Sequence, residues 1–146
     1  MKKDYIRADH SVYLCDYHMV LVTKYRRNVI ANVGIWSHLK QKFYEVTEHY
    51  PRLVIKEINH DINHVHLLIS IPPQMKVGDV VRLLKSNTSR NLKTKFSFLK
   101  KVYFGSDGIW SDGYFVSTVG VDQDIIQKYI ANQGSADVGQ IATLFD

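Results

Sequence analysis

The 146 residues hold a single cysteine, Cys15, so neither an intramolecular disulfide framework nor a cysteine-rich zinc site can form. Its apolar neighbours mark Cys15 as a small core residue. No apolar run approaches the roughly 18 residues that a membrane helix needs. The opening "MKKDYIRADH" lacks the apolar stretch of a signal peptide. A cytoplasmic, reducing location with no membrane partner is therefore the expectation. No G-x-x-x-x-G-K-[ST] loop is present, consistent with chemistry that uses no nucleotide cofactor. Repeats, low-complexity blocks and Gly/Ser/Pro linkers are missing too, so residues 1–146 read as one domain, with about 134–146 as a short helix or mobile tail.

What is there is an ordinary globular composition, 45% hydrophobic and 23% charged. Lys and Arg outnumber Asp and Glu by 19 to 14, a formal +5. That excess suits a polyanionic partner without requiring one.

Residues 11–23, "SVYLCDYHMVLVT", are rich in β-branched and aromatic types and read as a strand; "KYRRN" (24–28) follows as a basic loop. From about Gly34 to Tyr50 the residues Ile35, Leu39, Phe43 and Val46 recur at helical spacing, and Pro51 marks the end. Residues 53–60 alternate as a second strand, and 63–71 form a third that Pro72 and Pro73 terminate. Gly78-Asp79 starts a second helix with Val80, Leu83, Leu84 and Leu92 on its apolar side and Arg82, Ser86, Ser89 and Lys93 as a polar stripe. Residues 98–113 are loop-like, 114–120 read as a fourth strand, and "DQDIIQKYIANQG" opens acidic and closes on Gly134 as a helix does. The order βαββαβα predicts an α+β sandwich, one antiparallel sheet with helices packed on it.

Within "NHVHLLISIPP" (63–73), strand alternation puts His64 and His66 on one face. Two such imidazoles can grip one cation, but the spacing permits a metal site without demanding it. In "YIANQ" (129–133), Tyr129 and Gln133 are four apart on a helix, hence stacked on one side. A Gln carbonyl oxygen can serve as a third ligand, and a phenol one turn away can serve as a nucleophile once activated. The same residues also suit a plainer arrangement, an amphipathic core tyrosine and a solvated Gln before a glycine cap.

Two basic tracks suit phosphates: Lys24, Arg26 and Arg27 with Tyr25 interleaved, and the helical stripe Arg82, Lys85, Ser89, Arg90 and Lys93. Each is equally readable as a solvated face. His10, His18, His38 and His49 receive no role, Asp61 and His60 read as turn or surface residues, and Trp36 and Trp110 read as packing residues.

Taken together, "YHMVLVTKYRR" (17–27), "NHVHLLISIPP" (63–73), "GIWSDGYFVSTVG" (108–120) and "IIQKYIANQG" (125–134) resemble the HUH-type single-tyrosine transposases of small bacterial insertion sequences. The resemblance implies an α+β, ferredoxin-like HUH arrangement. It also implies His64 and His66 as paired metal ligands with Gln133 as the third, Tyr129 as the nucleophile, and Mg²⁺ or Mn²⁺ as the ion. The implied substrate is single-stranded DNA with imperfect hairpins, cut and rejoined through a 5′-phosphotyrosine link. The implied assembly is a homodimer whose active sites are shared between subunits. One alternative, of the same fold class, is a domesticated nuclease acting on repeated palindromes or replication origins; another, of a different functional class, is a hairpin-binding module without catalysis.

Overall fold

From its first described residues the chain pairs with itself: β1 (Ile6–Arg7) and β2 (Val12–Tyr13) make a small antiparallel ribbon. Then come β3 (Asp16–Val22), α1 (Val33–His49), β4 (Val54–His60), β5 (His64–Ser70), α2 (Val77–Lys95), a one-turn α3 (Leu99–Val102), β6 (Phe115–Ser117) and α4, residues 123–133. This computed structural model describes residues 5–106, 108–118, 120 and 122–133. Gly134 and the expected tail at 134–146 lie outside them.

The four main strands form one antiparallel sheet in the order β4-β5-β3-β6. Alternation divides its faces. Met19 and Leu21 of β3 and Val65, Leu67 and Ile69 of β5 are buried against α1 and α2. The helix faces that meet them follow from periodicity: α1 buries Ile35, Leu39, Phe43 and Val46, the four residues expected, and α2 buries Val80, Val81, Leu84 and Leu92. Asn32 caps α1, its side chain accepting from the Ile35 N–H at 3.0 Å. The opposite sheet face carries a smaller apolar cluster, Val20 and Val22 with Ile126 and Ile130 of α4.

Several expectations need correction. The strand foreseen over 11–23 breaks at Leu14-Cys15, because Val12 and Tyr13 pair with β1 while Asp16 onward pairs with β5. Cys15 is half-buried there rather than in the core, its carbonyl accepting from the Ile71 N–H at 3.0 Å. Residues 24–26 are a 3₁₀ turn in which Tyr25 and Arg26 hold positive φ of 58° and 51°. The stretch 98–113 contains α3, anchored by buried Leu99 and Tyr103. The last strand keeps three residues, Phe115–Ser117. Ser89, placed on a polar stripe by spacing, is buried, its hydroxyl accepting from the Ile109 N–H at 3.3 Å.

Candidate active site and nucleic-acid interface

His64 and His66 project from β5 on the face away from α1 and α2, both half-buried. Register sets them beside β3, His64 opposite Val22 and His66 opposite Val20. The His64 Nδ1 lies 3.0 Å from the Asn63 side-chain oxygen, and the His66 Nε2 lies 3.2 Å from the His18 Nδ1. Burial pushes both imidazoles below the ordinary histidine value; His66 and His60 add to the effect at His64 while Asp61 opposes it. At His66 the neighbouring His18 adds to it, and Glu57 opposes it. Both rings are therefore held neutral near pH 7, the form whose nitrogen lone pair can bind a metal.

Tyr129 and Gln133 come from α4, which lies on this same face because Ile126 and Ile130 pack on Val20 and Val22. The Tyr129 ring meets Phe115 of β6 at 5.7 Å between centroids, and its hydroxyl oxygen is buried. Hydroxyl and carboxamide converge on Gly113: a Cβ built there would stand 3.2 Å from the Tyr129 Oη and 3.0 Å from the Gln133 Oε1. Glycine is what lets both groups come so close. Gly113 lies in the segment that leads into β6, which borders β3 on the side away from β5; the bridge between Thr23 and Trp110 shows that this segment is two residues out of the β3–β6 register. The structure thus forms two pairs on one face, imidazole with imidazole and phenol with carboxamide, with β3 between them.

Donor chemistry agrees with a cation at the imidazole pair. The rings are neutral and share a face, although one nitrogen of His66 is turned to His18. Among the described residues no group of three or more His, Cys, Asp or Glu is gathered to hold a metal ion. The remaining positions would fall to oxygen donors such as the Gln133 carboxamide or a phosphate, a mixture that suits Mg²⁺ or Mn²⁺. His60 and Asp61 are exposed; His60 stacks on Trp36 at 3.9 Å, and the Asp61 carboxylate accepts from the Ile62 N–H at 2.8 Å.

The basic residues fall into two places. Arg82, Lys85, Arg90 and Lys93 of α2 line a groove of about 630 Å³ whose far side includes Trp110 and Tyr114. Arg82 pairs with Asp79 at 3.8 Å, Arg90 donates to the Asn87 side chain at 2.9 Å, and Lys93 donates to the Ser106 carbonyl at 3.3 Å. Lys85 turns inward, donating to the carbonyls of Ser111 at 2.6 Å and Gly113 at 2.8 Å. In the turn at 24–28, the Lys24 ammonium and the Arg27 guanidinium each lie over the Tyr25 ring, 5.9 and 5.5 Å from its centroid. Arg26 is exposed, and Lys24 also meets Asp112 at 3.4 Å. The turn adjoins the imidazoles, since the Thr23 N–H donates to the Asn63 carbonyl at 3.0 Å.

Sequence reasoning missed His18 and Gly113. Alternation does place His18 and Val20 on one face, but only the pairing of β3 with β5 reveals that this face is that of His66. Gly113 gave no signal beyond lying in a glycine-containing loop. Trp110 is a packing residue as expected, buried, with its Nε1–H donating to the Thr88 hydroxyl at 2.9 Å.

Residues 11–133 match the family described as "Transposase IS200 like". The chain is 33% identical over 128 residues to the transposase for insertion sequence element IS200 of Salmonella typhimurium, covering 88% of this chain and 82% of that one. It is 31% identical over 124 residues to the ISDra2 transposase TnpA of Deinococcus radiodurans, covering 84% and 86%. Among solved structures, a Deinococcus radiodurans protein assigned as a transposase superposes with a TM-score of 0.79 at 29% identity, over 88% of this chain and 97% of that one. A REP-associated tyrosine transposase bound to a REP hairpin gives 0.51 at 13% identity, over 88% and 66%, a likeness of fold. Kinship over this much of the chain, on a fold that carries the histidine and tyrosine motifs together, means that the chain belongs to the IS200-like transposase family.

Proposed function

We propose that this transposase cuts and rejoins single-stranded DNA at hairpin-bearing ends, with Tyr129 as the nucleophile. The observation that carries the reading is the placement of Tyr129 and Gln133 on the sheet face that also bears His64 and His66, one strand away. A neighbour of the same fold holds hairpin DNA, which supports that class of partner.

In the proposed step the Tyr129 oxygen attacks a backbone phosphorus in line. The Oη–P bond forms as the P–O3′ bond breaks, the phenol loses its proton, and the departing 3′ oxygen gains one. The product is a 5′-phosphotyrosine link and a free 3′-hydroxyl. One ester replaces another, so an incoming 3′-hydroxyl can reverse the step and join ends without a nucleotide cofactor. His64, His66 and Gln133 would hold Mg²⁺ or Mn²⁺, which when bound supplies charge stabilisation at a non-bridging phosphate oxygen. The chain's own contribution is to keep the two imidazoles neutral, to seat the phenol at Gly113, and to receive the DNA backbone on the basic turn at 24–28 and the α2 groove.

Homodimerisation with sites shared between subunits belongs to the same proposal. Within one chain α4 lies on its own sheet, so sharing requires that helix to reach a second copy.

The test is incubation with single strands carrying the hairpin-bearing ends that flank the coding sequence, with Mg²⁺, Mn²⁺ or EDTA. A denaturation-resistant protein–DNA adduct is expected with either ion and not with EDTA. It should vanish in Tyr129→Phe and fall sharply in His64→Ala, His66→Ala and Gln133→Ala. An adduct that persists in Tyr129→Phe identifies another nucleophile and rejects the reading. Mixing Tyr129→Phe with His64→Ala subunits tests sharing, because only a shared site recovers cleavage.

A further inference from the structure

Lys85 is half-buried on α2, and its ammonium addresses two backbone carbonyls, those of Ser111 and Gly113, at 2.6 and 2.8 Å. Both belong to the segment that leads from buried Trp110 into β6. The start of that segment is fastened independently: the Ser111 N–H donates to the Val22 carbonyl at 2.8 Å, and its hydroxyl lies 3.4 Å from the Thr23 carbonyl. Gly113 is where the segment meets α4, within close contact of the Tyr129 hydroxyl and the Gln133 carboxamide. A short physical path therefore runs from Lys85 through the Gly113 peptide to the nucleophile.

Hydrogen bonds from an ammonium are stronger than neutral ones, and a partly buried pair is less screened by solvent. Stem packing alone would be met by an apolar side chain, without the desolvation of a charge. We propose that Lys85 is a positioning residue for the cleavage reaction: by holding the Ser111 and Gly113 carbonyls it fixes the seat on which Tyr129 and Gln133 rest. The inference stands on the reading of Tyr129 as nucleophile. It departs from the expectation that Lys85 contacts DNA phosphate, since within the groove that it lines the ammonium already donates to two carbonyls of the protein's own backbone.

Misplacing a reacting group by about 1 Å costs on the order of a hundredfold in rate, which sets the scale of the test. Lys85→Met keeps the stem and removes the donors, Lys85→Arg restores N–H donors, and Gly113→Ala disturbs the seat while leaving Lys85 in place. Single-turnover adduct formation is measured at saturating DNA, using the hairpin-bearing end oligonucleotides with Mg²⁺. Binding of the same oligonucleotides is measured across salt in a Tyr129→Phe background, and amide hydrogen exchange is followed without DNA. Lys85→Met should slow the saturated rate by about a hundredfold with affinity and salt slope unchanged, and should speed exchange across residues 123–133 but not in β3 and β5. Lys85→Arg should recover part of the rate, and Gly113→Ala should slow the step as Lys85→Met does.

An unchanged saturated rate in Lys85→Met overturns the proposal. So does a loss confined to affinity with the salt slope reduced by about one, the mark of a phosphate contact. Should Lys85→Met fail to fold, a full rate in Gly113→Ala overturns it equally. Failure of the nucleophile reading shows differently, as an adduct surviving Tyr129→Phe, and leaves the exchange result to report on the seat.

Discussion

Truncating Ile130 to alanine should undock the tyrosine helix while the rest of the protein stays folded. Ile126 and Ile130 are only 3% and 4% exposed, and with Val20 and Val22 they make up the buried apolar cluster on their face of the sheet. Burying an isoleucine is worth about 1.5–3 kcal/mol, so the two together hold α4 with roughly 3–6 kcal/mol. An Ile→Ala change in a packed site costs about 2–5 kcal/mol, comparable to that whole attachment. Helices of this size depend on packing rather than on intrinsic propensity, so most molecules should then carry α4 detached. The main core on the other face, built from α1, α2 and the inward residues of β3 and β5, is untouched. Phe43→Ala supplies the contrast: Phe43 is fully buried in that core, and its truncation should cost about 3–5 kcal/mol of global stability. Hydrogen exchange by mass spectrometry, urea denaturation and adduct formation would be followed on both variants. Ile130→Ala should expose residues 123–133 to fast exchange and lose adduct formation, with a smaller midpoint shift than Phe43→Ala. The reasoning is refuted if the two variants shift the urea midpoint equally with no selective exchange in α4, or if a detached helix still forms adduct at the parental rate.

Trp110→Phe should cost about 1–3 kcal/mol, because it leaves the buried Thr88 hydroxyl without its 2.9 Å donor; the check is a lower urea midpoint at constant slope. Stability should depend on pH through His64 and His66. Their folded values lie below the unfolded 6.5, so below pH 6.5 the unfolded chain binds more protons than the folded one. Stability should therefore be level above that pH and decline as pH falls through 6.5 toward the folded values, and His64→Gln with His66→Gln should flatten the decline. His38, also lowered by burial and by Lys42 and Lys95, keeps a residue of the slope in that double variant. Replacing Arg26 and Arg27 by alanine should weaken single-strand binding and reduce the salt slope by about 0.7 per lost contact, measured by titration over a range of ionic strength.

Much of this molecule was legible in one dimension because its periodicities are strong. The apolar stripe of α1 and the alternation of β5 predicted their buried residues, and the shared face of His64 and His66 followed from strand geometry alone. The failures have a common physical origin in pairing partners. Val12 and Tyr13 look like a continuation of β3 until β1 claims them, and Ser89 looks solvated until the Ile109 N–H meets its hydroxyl. His18 and Gly113 matter only through a neighbouring strand or helix, and local sequence does not encode which strand lies alongside. Lys85 was placed correctly on a basic helix face, but its ammonium could not be aimed without knowing where residues 111–113 run.

The turn at Tyr25 and Arg26 has a consequence of its own. Two successive non-glycine residues in the left-handed region cost about 1–2 kcal/mol each, so the surroundings must hold the shape. Thr23 does much of this, its hydroxyl donating to the Arg27 carbonyl at 2.8 Å while the Lys24 N–H is fixed to the Ile109 carbonyl at 2.8 Å. What results is a braced turn beside the imidazoles, an aromatic ring with two cations already over it. A flexible arm would lose freedom on closing over a nucleic acid; this turn has already lost it during folding, so a strand docking there as proposed would meet a surface that is set in advance.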